Sequence, residues 1–235
     1  MTKGKERARS DGQDASFVRE AFAKIADRYV VTNHVLSAGT DILWRKKVGR
    51  MVREWAPKRI LDVATGTGDL ALEMQKASPT SELIATDFCP EMLAHADRRG
   101  VKETLVADAL SLPYEDGSFD LVTVAFGLRN MADWEAALRE MQRVSRGGRL
   151  LVLDFSLPKG ALAKPYAWYL NGVLPKVAGL ITGQGEAFGY LAGSIEKFPS
   201  GDQMTEFITK CGFEDVSYQP LSCGIATIYT GRSVG

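Results

Sequence analysis

An α/β fold, built on a mostly parallel sheet that ends in an antiparallel hairpin, follows from three features of the sequence. Short apolar runs alternate with helix-periodic segments from Arg59 to Phe155. Strands spaced by helices make parallel sheets with right-handed crossovers. The first of these runs passes through glycines directly into a helical pattern, as Ile60-Leu61-Asp62-Val63-Ala64-Thr65-Gly66-Thr67-Gly68-Asp69-Leu70. Near the end, Glu214–Gln219 and Ile225–Thr230 are joined by a short turn containing Pro, Gly and Ser. Strands joined so closely pair antiparallel.

Composition narrows the classes. The chain has 235 residues, 45% hydrophobic and 25% charged, a balance that suits one globular α/β unit. Lys plus Arg and Asp plus Glu both number 29, so the formal net charge is zero. A long-range field that gathers nucleic acid is therefore not expected. Lys3, Lys5, Arg7 and Arg9 make the start basic without apolar partners. Residues 1–14 are expected to form a disordered tail ahead of a single domain over 15–235. Cys89, Cys211 and Cys223 are too dispersed for a disulfide framework or a zinc site. No metal is expected, and a reducing cytoplasm fits best. An N-terminus without an apolar core predicts no secretory signal. The longest apolar stretch, Tyr166 to Ile181, is interrupted by Asn171, Gly172, Pro175 and Lys176. It is shorter than the ~20 residues that span a bilayer.

Taken in order, the elements are these. Phe17, Ala21, Phe22 and Ile25 recur at helical spacing and predict an amphipathic helix over Ser16–Tyr29. A polar stretch from Thr32 to Thr40 leads into a helix over Ile42–Trp55, which Pro57 stops. The strand-like runs are Ile60–Ala64, Leu83–Thr86, Thr104–Ala107, Leu121–Phe126 and Leu150–Phe155. Between them lie helical patterns over Leu70–Lys76, Glu91–Arg99 and Trp134–Val144. A helical insert at about 157–211 follows, with helices predicted over Ala163–Thr182, Ala187–Lys197 and Asp202–Cys211. The hairpin comes last.

The strand–glycine–helix segment is a nucleotide-type site. Gly66 and Gly68 let the backbone turn sharply where a ligand approaches, and the free N–H groups of the following helix face that ligand. Asp87 ends the second run, placed to accept hydrogen bonds from ribose hydroxyls at the carboxyl edge of the sheet. Asp108-Ala109 ends the third. Gly66, Gly68 and Ala71 also satisfy the dinucleotide pattern G-x-G-x-x-G/A, so an NAD-binding dehydrogenase is a rival. A plain tight turn is another. Asp62, inside the first strand, makes the signature D-x-x-x-G-x-G. With Asp87 and the terminal hairpin, that signature resembles the class I S-adenosylmethionine methyltransferases. The resemblance implies a Rossmann-like, seven-stranded, mostly parallel sheet whose last strand runs antiparallel between the fifth and sixth.

Further motifs sharpen the resemblance. Phe126-Gly127-Leu128-Arg129-Asn130 follows the fourth run, and Gly147 to Ser156 reads G-G-R-L-L-V-L-D-F-S. Tyr190 to Pro199 reads Y-L-A-G-S-I-E-K-F-P, and Ala26-Asp27-Arg28-Tyr29 lies near the start. Together they resemble the ubiquinone/menaquinone biosynthesis C-methyltransferase family from about Phe17 to Arg232. The resemblance implies S-adenosyl-L-methionine as cofactor and methylation of a ring carbon on a prenylated quinol precursor, such as demethylmenaquinol. The family's cofactor contacts fall on Thr67, Asp87, Asp108 and Ala109, beside the loop glycines Gly66 and Gly68. Three positions depart from the family pattern. Ala125 stands where the family has a serine, Val30 follows Tyr29 in place of an aspartate, and Tyr229 replaces a histidine. An alternative is a methyltransferase for another small lipophilic or phenolic acceptor. A non-enzymatic binding protein on the same fold is a third reading.

The expected catalytic group is Arg129, Tyr29 and Asn130. A sulfonium methyl is already electrophilic, so the protein must align the partners and make the acceptor carbon nucleophilic. Arg129 offers fixed charge to a developing phenolate. With a pKa above ~12 it cannot be the base; a water held by Arg129 and Tyr29, or His34, takes that role. Plainer readings stand beside these: Arg129 and Asn130 capping the helix near Asp133, Tyr29 as a packed aromatic, and His34 and His95 as ordinary histidines. Asp154 is expected to close the fifth strand without touching substrate. Trp168, Tyr169, Leu170, Val173, Leu174, Val177, Leu180 and Ile181 offer a wall for a polyprenyl tail and peripheral contact with the membrane. Core packing or a homodimer interface accounts for the same residues.

Overall fold

The computed structural model describes residues 37, 39–158, 160, 163–173 and 193–235. The expected helix over Ser16–Tyr29, Tyr29 itself and His34 lie outside the described residues, as does the stretch from 174 to 192. Helix α1, Asp41–Trp55, leads into β1, Arg59–Val63. Its last turn closes on Ala56 in the left-handed region, φ 46°, just before Pro57. Then come α2, Asp69–Ala77, β2, Glu82–Asp87, α3, Pro90–Arg99, and β3, Thr104–Val106. Strand β4, Leu121–Ala125, ends in a tight turn over Leu128–Asn130 and is followed by α4, Trp134–Val144. Asp133 caps α4, its side chain accepting the Ala136 N–H at 3.0 Å. The cap is therefore Asp133, and Arg129 and Asn130 are free of that duty. Strand β5, Arg149–Phe155, opens the insert.

The insert departs from expectation. Helix α5 covers only Ala163–Trp168 and widens into a π-turn over Tyr169–Val173. Asn171 and Gly172 are weak helix formers where the regular turns give way to the wider one, and the rest of the expected helix, to Thr182, lies outside the described residues. A helical stretch at 193–197 and α6, Asp202–Lys210, lead to the hairpin of β6, Phe213–Leu221, and β7, Ala226–Ser233. Both hairpin strands extend beyond their expected ends, and Pro220 falls inside β6 rather than in the turn. It is tolerated because β6 is the edge strand.

The sheet has seven strands in the order β3-β2-β1-β4-β5-β7-β6. β3 to β5 pair parallel, and β7 runs antiparallel between β5 and β6, as the resemblance implied. Successive side chains along the central strands point to opposite faces. Ile60, Leu121, Leu151 and Leu153 pack with Trp44, Val48, Val52, Leu70 and Met74 of α1 and α2. Leu61, Val63, Val122, Val124, Leu150 and Val152 pack with Leu138, Met141, Met204 and Ile208 of α4 and α6. Two buried faces explain why these strands read as continuous apolar runs rather than alternating ones. Parallel strands bring all their carboxyl ends to one edge, where the candidate residues gather.

Candidate active site

Strand β1 ends in Ala64 with φ 53°, and β4 ends in Phe126 with φ 57°. Two L-residues in the left-handed region, on adjacent strands at the same edge, each cost of order 1–3 kcal/mol. Such outliers mark sites that the surrounding structure holds in place. Ala64 is followed by Gly66, φ 58°, whose N–H donates to Asp87 Oδ2 at 2.8 Å. The Cys89 N–H donates to Asp87 Oδ1 at 2.9 Å. Asp87 thus ties the β1 loop to the start of α3. Each of its oxygens keeps a lone pair for a further donor. Burial raises the Asp87 pKa, against the pull of its backbone N–H partners.

A cavity opens at this edge. Gly66, Asp87, Asp108, Ala109 and Asn130 line it, with Val63, Ala64, Phe88, Met92, Phe126, Gly127 and Met131 supplying apolar wall. Five expected site residues are therefore brought together. Asp108 Oδ1 accepts the Leu110 N–H at 2.9 Å, which fixes the loop that presents Ala109.

Thr67 and Gly68 are placed differently. The Thr67 hydroxyl donates to Asp69 Oδ2 at 2.9 Å, and its carbonyl accepts from Arg99 at 2.8 Å. Gly68 precedes α2 at φ 80°, and a Cβ there would meet Val101 at 2.5 Å. Its bare backbone serves helix packing against α3 and its following loop, and Gly68 is not among the residues that line the cavity. Thr67 and Gly68 shape the loop, and Gly66 faces the cavity.

A second, smaller pocket shares Ala64, Gly66 and Phe126 with the first and adds Arg45, Asp62, Thr65 and Asp69. Sequence reading missed Arg45, which α1 delivers here; it pairs with Asp41 and lies 5.7 Å from the Phe126 ring centroid. An Asp41/Arg45 spacing of one helical turn was the available signal. Asp62 accepts hydroxyls from Thr123 at 2.6 Å and Thr65 at 2.7 Å. Burial pushes its pKa up to about 6, the hydroxyls opposing. A folded pKa above the unfolded value near 3.8 means the folded protein binds that proton more tightly. Asp62 then costs stability as pH rises from about 4 to 6. Asp62→Asn is expected to melt higher than wild type at pH 7, with the gap closing below about pH 4; melting curves across that range check it.

Arg129 is 3% exposed and Asp154 fully buried. Arg129 Nη1 donates to Asp154 Oδ1 at 2.7 Å and to the Phe126 carbonyl at 2.6 Å. Asn130 Nδ2 reaches the same carbonyl at 3.2 Å. The F-G-L-R-N element is thus a strained turn that its own arginine and asparagine hold closed. Arg129 Nε, Asn130 Oδ1 and Asp154 Oδ2 are buried without a hydrogen-bond partner among the described residues. Gly127 completes the wall: a Cβ there would sit 2.6 Å from Ala64 Cβ. Gly127→Ala is expected to displace the two strand ends and lower stability by about 1–3 kcal/mol, measurable as an earlier thermal melt with weakened ligand affinity.

A sheet of this order, with a tight loop after β1 and an acid ending β2, defines the class I S-adenosylmethionine-dependent methyltransferase fold. The chain superposes on a SAM-dependent methyltransferase from Thermotoga maritima with a TM-score of 0.65 and 19% identity, covering 92% of this chain and 99% of that one. The cyclase SpnF also superposes, with a TM-score of 0.59 and 19% identity over 81% and 82% of the two chains. Fold alone therefore leaves the reaction open, and sequence decides it. The model of the ubiE/COQ5 methyltransferase family matches residues 7–233. A demethylmenaquinone methyltransferase of Thermus thermophilus is 48% identical, with 89% of this chain and 98% of the relative covered. The ubiquinone/menaquinone biosynthesis C-methyltransferase UbiE of Bdellovibrio bacteriovorus is 42% identical over 91% and 94%. The chain belongs to the ubiE/COQ5 methyltransferase family and is an S-adenosylmethionine-dependent methyltransferase. The dehydrogenase and non-enzymatic readings fall away.

Proposed function

We propose that the protein methylates a ring carbon of a prenylated quinol precursor of menaquinone or ubiquinone. The observation that carries this reading is the cavity wall. Apolar over most of its lining, it holds the polar side chains of Asp87, Asp108 and Asn130, the last next in the chain to Arg129 of the buried Arg129–Asp154 pair. The residues fit the methyl donor. Asp87 has lone pairs for ribose hydroxyls, Phe88, Ala107 and Ala109 offer apolar contact for a base, and Gly66 presents backbone. The smaller pocket matches an amino-acid end: Asp62 and Asp69 suit an ammonium, and Arg45 and Thr65 suit a carboxylate. When bound, the donor supplies an electrophilic methyl on sulfur.

Arg129 contributes positive charge to a phenolate forming on the acceptor, in a site where water is sparse and charge counts for more. Asn130 orients the ring hydroxyl through its unpaired amide oxygen. Thr67 and Gly68 belong to this proposal as the loop support, and Tyr29 as a catalytic residue that the family resemblance implies. Peripheral contact with a membrane suits a lipid-dissolved acceptor. Among the described residues no helix is long and apolar enough to cross one. The test is incubation of the protein with labelled methyl donor and demethylated quinol extract. Label on the quinone ring is expected; label only on another lipophilic or phenolic acceptor overturns the substrate assignment.

A further inference from the structure

A buried ion pair beside a reacting centre needs an explanation. Taking both charges out of water costs several kcal/mol per ion, and a pair kept only for strength is replaceable by apolar packing. Arg129 and Asp154 make that pair with one nitrogen and one oxygen, leaving Arg129 Nε and Asp154 Oδ2 unused. Asn130 Oδ1 is also unused, on a residue that lines the cavity. Arg129 Nη1 and Asn130 Nδ2 both donate to the carbonyl of Phe126, a residue that lines the cavity, so the pair and Asn130 belong to one network at the cavity wall.

We propose that Asp154 is the proton acceptor of the reaction, trading its pairing with Arg129 for the proton of the acceptor's ring hydroxyl. The inference rests on the quinol reading above. The hydroxyl proton passes through a water on Asn130 Oδ1 to Asp154 Oδ2, and the phenolate inherits Arg129 as counter-ion. One positive and one negative charge are buried before and after this proton transfer. The ring carbon then bonds to the methyl group as the carbon–sulfur bond breaks. The ring C–H proton leaves to solvent, and the proton on Asp154 returns to the ring oxygen. One proton is released per turnover, balancing the sulfonium charge that disappears.

Burial raises the Asp154 pKa while Arg129 and the Phe155 N–H oppose it, so this carboxylate holds a proton better than an exposed one. The charged and titratable groups that face it among the described residues are Arg129 and Tyr229 of β7. The Tyr229 hydroxyl is occupied by the Gly201 N–H at 2.9 Å.

The experiment compares wild type, Asp154→Asn and Asp154→Glu by single-turnover methylation of a demethylated quinol as pH rises from about 6 to 10, the range in which a phenol ionises. Asp154→Asn is expected to bind S-adenosylhomocysteine as wild type does and to keep KM. Its kcat falls by about 100-fold or more near pH 7, and the deficit narrows as the quinol ionises in solution. Asp154→Glu recovers part of the rate. An unchanged kcat, or a deficit that stays constant with pH, overturns the inference. A second readout needs no variant to fold. Adding quinol to the wild-type complex with S-adenosylhomocysteine is expected to produce an infrared band of a newly protonated carboxyl, and its absence contradicts the proposal. A wild-type protein that methylates no quinol removes the substrate reading and this step together, whereas wild-type turnover with an indifferent Asp154→Asn removes this step alone.

Discussion

Replacing Asp87 with alanine is expected to weaken S-adenosylhomocysteine binding by about 100-fold or more. Hydrogen bonds to a charged group contribute ~1.5–3 kcal/mol each, and two ribose hydroxyls on one carboxylate account for ~3–6 kcal/mol. The variant also orphans the Gly66 and Cys89 N–H groups, which both end on this side chain. With Gly66 released, the strained exit of β1 through Ala64 loses its tether, so the loop no longer meets the ligand preformed. Calorimetry with S-adenosylhomocysteine measures the effect. An affinity within a few-fold of wild type would show that the nucleoside does not lie against Asp87.

Arg129→Ala is expected to separate binding from chemistry. Arg129 is not among the residues that line the cavity; it is held by the Phe126 carbonyl and Asp154, so cofactor affinity stays close to wild type. Turnover falls by about 10²–10³, the loss typical when one fixed donor to a developing oxyanion is removed. Stability falls too, because Asp154 is left buried without its partner, and breaking such a pair costs about 3–5 kcal/mol. Assays therefore belong well below the melting temperature of the variant. A drop in cofactor affinity as large as that of Asp87→Ala would contradict the division of roles between Asp87 and Arg129.

Much of this was written in the sequence, and the exceptions share a cause. The order of strands and helices was legible because central strands buried on both faces are unbroken apolar runs, as in Leu150–Phe155. Helix ends were legible where a side chain or proline sets them, as Asp133 does for α4 and Pro57 after α1. Gly66, Asp87, Asp108, Ala109 and Asn130 were legible as a set because each follows the end of a strand in a parallel sheet. The π-turn at Tyr169–Val173 was not, since its residues fit a regular helix as well. Gly68 illustrates a different limit. Two glycines in one loop look alike in sequence, and only the position of Val101 reveals that one serves packing. Asp154 was hidden because its pairing depends on a partner in a different element. Asp154 read as a strand end, and its pairing with Arg129 appears only when β4 and β5 lie side by side.

The position of the donor is the claim from which the site assignments follow, and a crystal structure of the protein with S-adenosylhomocysteine tests it most directly. The ribose hydroxyls should lie on Asp87, with the base against Phe88 and the Asp108-Ala109 loop. The amino-acid end should enter the pocket between Asp62 and Arg45. A nucleoside lying anywhere other than across the tip of β1, with Asp87 left untouched, would contradict the account.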